Sequence, residues 1–141
     1  MLKRLNMLGA SVLLSVIGHA ATADVLLVTS VEAPFTRLTS SELTDIYLGR
    51  RTQIGKGLAV IPLDQSGSSI EREVFYTRYI GQTPAQIKAH WARLIFTGRG
   101  QPPQTFRDSQ AVIDRLVSDK AALGYINAAY FDDRLRVVQV E

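Results

Sequence analysis

Ile61-Pro62-Leu63-Asp64-Gln65-Ser66-Gly67-Ser68-Ser69 joins an apolar segment, Leu58–Leu63, to a helical pattern carried by Ile70, Val74, Phe75 and Tyr79. The apolar segment is expected to form a buried strand, with Pro62 near its end, where a lost backbone donor does least harm. Ser68 followed by Glu71 has the spacing of a capping box, in which hydroxyl and carboxylate satisfy each other's backbone N–H groups. Strand, serine-glycine turn and helix start therefore follow one another within about a dozen residues. Free N–H groups at a helix start carry partial positive charge and suit an anion. Ser66 and Ser68 add hydroxyl donors, Gly67 permits close backbone approach, and Ser69 adds an amide. Taken alone, the same residues read more simply as a plain turn with Ser68 as N-cap. The nucleotide pattern G-x-x-x-x-G-K-[ST] and the dinucleotide pattern G-x-G-x-x-G are both absent from the segment.

Working outward, Val25–Thr29 has the composition of a first buried strand. Thr39 and Glu42 make a capping box before Leu43, Ile46 and Tyr47, and Gly49 closes that helix. Thr83-Pro84-Ala85-Gln86 is a further box, with proline at the first helical position; Ile87, Trp91, Leu94 and Ile95 follow as an expected core-facing stripe. Phe75, Tyr79, Trp91 and Phe96 are expected in the core for the same reason of helical spacing. Gly98–Pro103 reads as a loop. A helix is expected to resume near Asp108 or Ser109, carrying Val112, Ile113, Leu116 and Val117. Gly124-Tyr125-Ile126 and Leu135–Val140 read as the last strands, separated by a turn at Asp132-Asp133. Strands at both ends with helices between predict an α/β domain with a small mixed sheet flanked by helices.

The 141 residues support one domain of ordinary size. Residues 1–23 read as a signal peptide: Lys3 and Arg4, an apolar run from Leu8 to Ile17, then Ala21-Thr22-Ala23 as cleavage pattern. Ten apolar residues fall short of the roughly 20 that span a bilayer. Cleavage would leave residues 24–141 as the exported domain, expected in the periplasm. Removing Lys3 and Arg4 from 16 basic and 13 acidic residues brings the charge close to balance, which argues against a nucleic-acid partner. There is no cysteine, and His90 is the one histidine beyond the leader, so no metal site and no cofactor are expected.

An enzyme finds little support in these residues. Glu71 and Glu73 lie two apart on a helix and face different directions. Ser66 has no base assigned to it by the sequence. Among the loop arginines Arg50, Arg51, Arg99 and Arg107, Arg99 is favoured as a ligand contact because Gly98 and Gly100 flank it.

The segment resembles the phosphate-binding periplasmic component of ABC transporters, a class II periplasmic binding protein. Asp64 falls on that family's aspartate, and Ser66-Gly67-Ser68 on its Ser-Gly-Thr or Ser-Gly-Ser. Leu43–Gly49 and Gly124-Tyr125-Ile126 resemble the same lobe, and the segment from Ser66 through Trp91–Gly98 resembles small exported proteins similar to that component. The family's phosphate-clamping arginine falls on Pro62, and Gln65 replaces a glycine. The resemblance implies a single lobe of that fold over 24–141. It implies a non-catalytic module for inorganic phosphate or a similar oxyanion, using Asp64, Ser66, Gly67 and Ser68, to which the residues' own reading adds Ser69 and Arg99. An ABC permease, or a second lobe supplied by another chain or a homodimer, is implied as partner. The alternative is an accessory module that keeps the fold and has lost the ligand.

Overall fold

The computed structural model describes residues 23–141; the expected signal peptide lies, except for Ala23, outside the described residues. Nine strands are present among them: β1 Val25–Ser30, β2 Arg37–Leu38, β3 Gln53–Ile54, β4 Leu58–Ala59, β5 Ile61–Gln65, β6 Gln104–Phe106, β7 Ala122–Asn127, β8 Leu135–Val137 and β9 Gln139–Val140. The helices are α1 Ser40–Tyr47, α2 Ile70–Phe75, α3 Pro84–Phe96 and α4 Ser109–Ser118, with a π-helical turn Tyr76–Ile80 continuing α2. Five strands form one mixed sheet in the order β6-β5-β7-β1-β8. β5 runs parallel to β6 and β7, and β1 antiparallel to β7 and β8. β2 pairs with β9, and β3 with β4, outside that sheet. Among the described residues no helix is long and apolar enough to cross a membrane.

Alternation along the central strands divides the core into two layers. On one face Leu27, Leu123 and Tyr125 pack against Tyr47, Phe75, Ile87 and Trp91 from the first three helices. On the other, Val28, Leu63 and Ile126 meet Val112, Ile113 and Leu116 of α4. Gly124 sits where α4 crosses: a Cβ there would lie 2.7 Å from Val112 Cγ1, so any side chain would push helix from sheet. Gly49 ends α1 in the left-handed region at φ 74°, and a Cβ there would lie 2.6 Å from Trp91.

The capping boxes of α1 and α3 form as expected, each with both reciprocal bonds. That of α2 does not. Ser69, not Ser68, is the N-cap, its hydroxyl accepting from the Arg72 amide at 3.2 Å. The expected strand Leu58–Leu63 is broken at Val60, because residues 53–59 double back as the β3–β4 hairpin and the Val60 amide turns to Thr52 O. Leu135–Val140 is likewise divided at Val138, whose amide bonds Leu27 O while β9 leaves to join β2. Several residues read as core or as buried strand are exposed, among them Leu58 and Ile61, each 40% exposed. Phe96 is 91% exposed, Ile95 56% and Val117 42%. Phe96 lies nine residues from Ile87, about half a turn round the helix axis, which carries it to the opposite side.

Candidate functional site

β5 ends at Gln65, and the chain turns at once. The Ser66 amide still donates to Phe106 O of β6 at 2.9 Å, and the Ser69 amide closes the turn on Ser66 O at 2.9 Å. This turn brings the Ser66 and Ser68 hydroxyls within 3.4 Å of each other. The Gly67 and Ser68 amides take no intramolecular acceptor among the described residues. Beside the turn, α4 begins after β6, with the Asp108 carboxylate capping the Ala111 amide at 2.9 Å. The two helix starts meet at the carboxyl ends of the parallel strands β5 and β6, where open α/β sheets form their crevices. A cleft of about 390 Å³ opens there, walled by Ser66, Ser68 and Ser69 on one side and by Arg107, Ser109 and Gln110 on the other.

Gln65 explains its own presence. Its buried side-chain Oε1 accepts from the Ser69 hydroxyl at 2.8 Å, while Nε2 donates to Tyr125 O at 3.0 Å. Nε2 also reaches Ser109 Oγ at 3.5 Å, a hydroxyl that accepts from the Asn127 amide at 2.9 Å. One amide thus ties the turn to β7 and to the start of α4, a task that a glycine lacks the atoms to perform.

A carboxylate of the chain itself sits among these donors. Glu71 Oε2 accepts from Ser69 Oγ at 3.0 Å and Oε1 from Asn127 Nδ2 at 3.1 Å. Partial burial pushes its carboxyl up, but bonds from its own backbone amide, Asn127 and Ser69 outweigh burial and hold it below the ordinary carboxylate value.

Two residues read as ligand contacts are elsewhere. Successive side chains of a strand point to opposite faces, so Asp64 and Gln65 are divided between the two sides of β5. Asp64 is 5% exposed, and its carboxylate is spent inside the molecule. Oδ2 accepts from Tyr76 Oη at 2.8 Å. Oδ1 accepts from Tyr125 Oη and from the Gln65 amide, the latter at 2.8 Å, and Arg72 Nε lies 3.4 Å away. Burial first, and the neighbouring Asp64 charge second, push the Tyr76 and Tyr125 phenols far above their usual range. Arg99 lies in the loop after α3, its amide on Leu94 O, and does not line the cleft; the arginine that does is Arg107. Ser66, Gly67, Ser68 and Ser69 do share one turn, although Gly67 faces the neighbouring groove rather than the cleft.

Sequence reasoning missed Ser109, Gln110 and Glu71 as cleft residues, because the juxtaposition depends on β6, a three-residue strand with no periodic signal. It also gave Arg72 no role. The resemblance places an arginine two residues before the aspartate, at Pro62; in this fold Arg72 reaches the same carboxylate from α2, with its Cζ 4.9 Å over the Tyr76 ring.

No family model matches the sequence, and no curated protein matches it. Solved structures do. A structure described as a phosphate ABC transporter substrate-binding protein with bound phosphate, from Clostridium perfringens, aligns with TM-score 0.64 at 22% identity, over 82% of this chain and 44% of that one. An ABC-type phosphate transport receptor from Vibrio cholerae aligns with TM-score 0.60 at 17% identity, over 82% of this chain and 45% of its own. PstS from Borrelia burgdorferi aligns with TM-score 0.57 at 15% identity, over 83% and 47%. This chain therefore shares the fold of phosphate ABC transporter substrate-binding proteins, over less than half of the length of those structures.

Proposed function

We propose that this chain is an exported, non-catalytic module that holds phosphate or a similar oxyanion reversibly in the cleft between the Ser66–Ser69 turn and the start of α4. The observation that carries this reading is the approach of the Ser66 and Ser68 hydroxyls, 3.4 Å apart, beside a second helix start. Hydroxyls, the free Ser68 amide and the Arg107 guanidinium, whose Nε lies 3.5 Å from Asp108, together offer donors to several oxygens of one tetrahedral ion. The fold, shared with a protein described as having phosphate bound, supports the same reading. His90 Nε2 lies 2.9 Å from Leu48 O, engaged away from Ser66, which supports binding without nucleophilic catalysis. The leader pattern supports export to the periplasm. The cleft is open on its outer side, so a membrane permease, a second copy or another chain is the partner expected to cover it.

One observation favours the second reading, an accessory module without ligand: the Glu71 carboxylate already takes donors from Ser69 and Asn127. Calorimetric titration of the protein with inorganic phosphate separates the two. Saturable heat is expected, with Ser66→Ala and Ser68→Ala each weakening binding about three- to tenfold, the value of one net hydrogen bond. Glu71→Gln should strengthen it by removing a like charge. Absence of saturable heat in both the wild type and Glu71→Gln, with the fold intact, would leave the accessory reading.

A further inference from the structure

On the other side of the Ser66–Ser69 turn lies a larger groove, of about 680 Å³, which the oxyanion reading does not use. Its floor is Asp64 and Arg72, one wall is α3, and the facing wall is Pro102 and Pro103. Lys88, Ala92 and Ile95 fall at offsets of four and seven along α3, a second stripe beside the one that packs on the sheet. Ile95, expected in the core, is exposed because it forms this wall. The groove is mostly apolar, with two cations, Arg72 and Lys88, and one carboxylate, that of Asp64, in its lining. Arg72 is held by Asp64 through Nε and by the Tyr76 ring beneath its plane, while its terminal Nη1 and Nη2 take no partner among the described residues. Lys88 is exposed and makes no ion pair among them. An arginine braced in this way presents its outer edge as a fork for two oxygens at little further entropic cost.

We propose that this groove is a second binding site, for a small organic anion: an oxyanion head on Arg72 and Lys88, and an apolar body laid along Ile95, Ala92 and the two prolines. The proposal is independent of whether the neighbouring cleft takes phosphate. Trp91 also lines the groove and is the only tryptophan of the chain, so its emission reports on occupancy. Titration of the protein with phenyl phosphate or phenylacetate should change Trp91 fluorescence saturably. Inorganic phosphate, lacking an apolar body, should produce at most a weak change. Lys88→Gln should weaken the response to either aryl anion about tenfold, the value of a charge-assisted hydrogen bond. Ile95→Asp, also at an exposed position, should abolish it, and the Ser66→Ala/Ser68→Ala double variant should leave it intact. Arg72→Gln is a poorer test, since it leaves Asp64 unpaired in the interior. Failure of both aryl anions to give a saturable response would overturn the proposal. So would a response unchanged in Lys88→Gln and Ile95→Asp, or one lost in the double serine variant.

Discussion

Asp64 shows how fully the protein's own groups can engage one carboxylate. It stands two residues before the serine turn, yet four groups of the protein converge on its carboxylate: the Tyr76 and Tyr125 hydroxyls, the Gln65 amide and the Arg72 guanidinium. A buried charge so supplied is stable in place, but removing it strands its partners. Asp64→Asn leaves Arg72 without its counter-charge in a mostly covered position. It is expected to cost about 3–5 kcal/mol, as for other buried pairs broken on one side. Urea unfolding of the two proteins measures this; a loss below about 1 kcal/mol, the range of exposed pairs, would mean that solvent already screens the network.

Helix starts organise the next scale. All four α-helices among the described residues receive a side-chain cap, from Thr39, Ser69, Thr83 and Asp108, each accepting from the amide three residues on. The spacing to Glu71 pointed to Ser68 as the cap of α2; the turn geometry selects Ser69 instead, leaving Ser68 to face Ser66. Thermal or chemical denaturation should therefore divide the two serines. Ser69→Ala is expected to destabilise by about 1 kcal/mol, the usual value of a lost N-cap, and Ser68→Ala by a few tenths at most. The reverse order would place the cap back on Ser68. α2 is also bound to the sheet by aromatic packing, Phe75 stacking on Tyr125 with centroids 4.1 Å apart and planes 6° from parallel. α2 is thus fixed at both ends, by the cap and by the stack.

At the scale of the molecule, the five-stranded sheet carries an apolar layer on each face, and the same strands β1 and β7 contribute to both. Neither layer can be lost without exposing the back of the other, so the two should unfold together. The expected outcome is a single denaturant transition, with far-ultraviolet circular dichroism and Trp91 fluorescence superimposed. Trp91 belongs to one layer only, so an earlier fluorescence transition would show that the face bearing α3 melts alone. The cleft and the groove lie on either side of one turn at the end of β5, and both depend on this sheet being intact.

The sequence by itself determined the elements whose signal is local. The capping boxes at Thr39 and Thr83, the stripe through Ile87 and Trp91, and the run Val25–Thr29 appear where periodicity and reciprocal hydrogen bonds put them. The resemblance carried by Asp64 and Ser66-Gly67-Ser68 led to the shared fold. Which residues face one another was decided only by tertiary structure. Pairing of β6 with β5 brings Arg107 and Ser109 beside Ser66 and leaves Arg99 apart; folding of α2 over the sheet carries Arg72 to Asp64. Such contacts join residues far apart in the chain. No spacing rule encodes them, because they are fixed by which strand lies next to which and by the close approach that Gly124 allows.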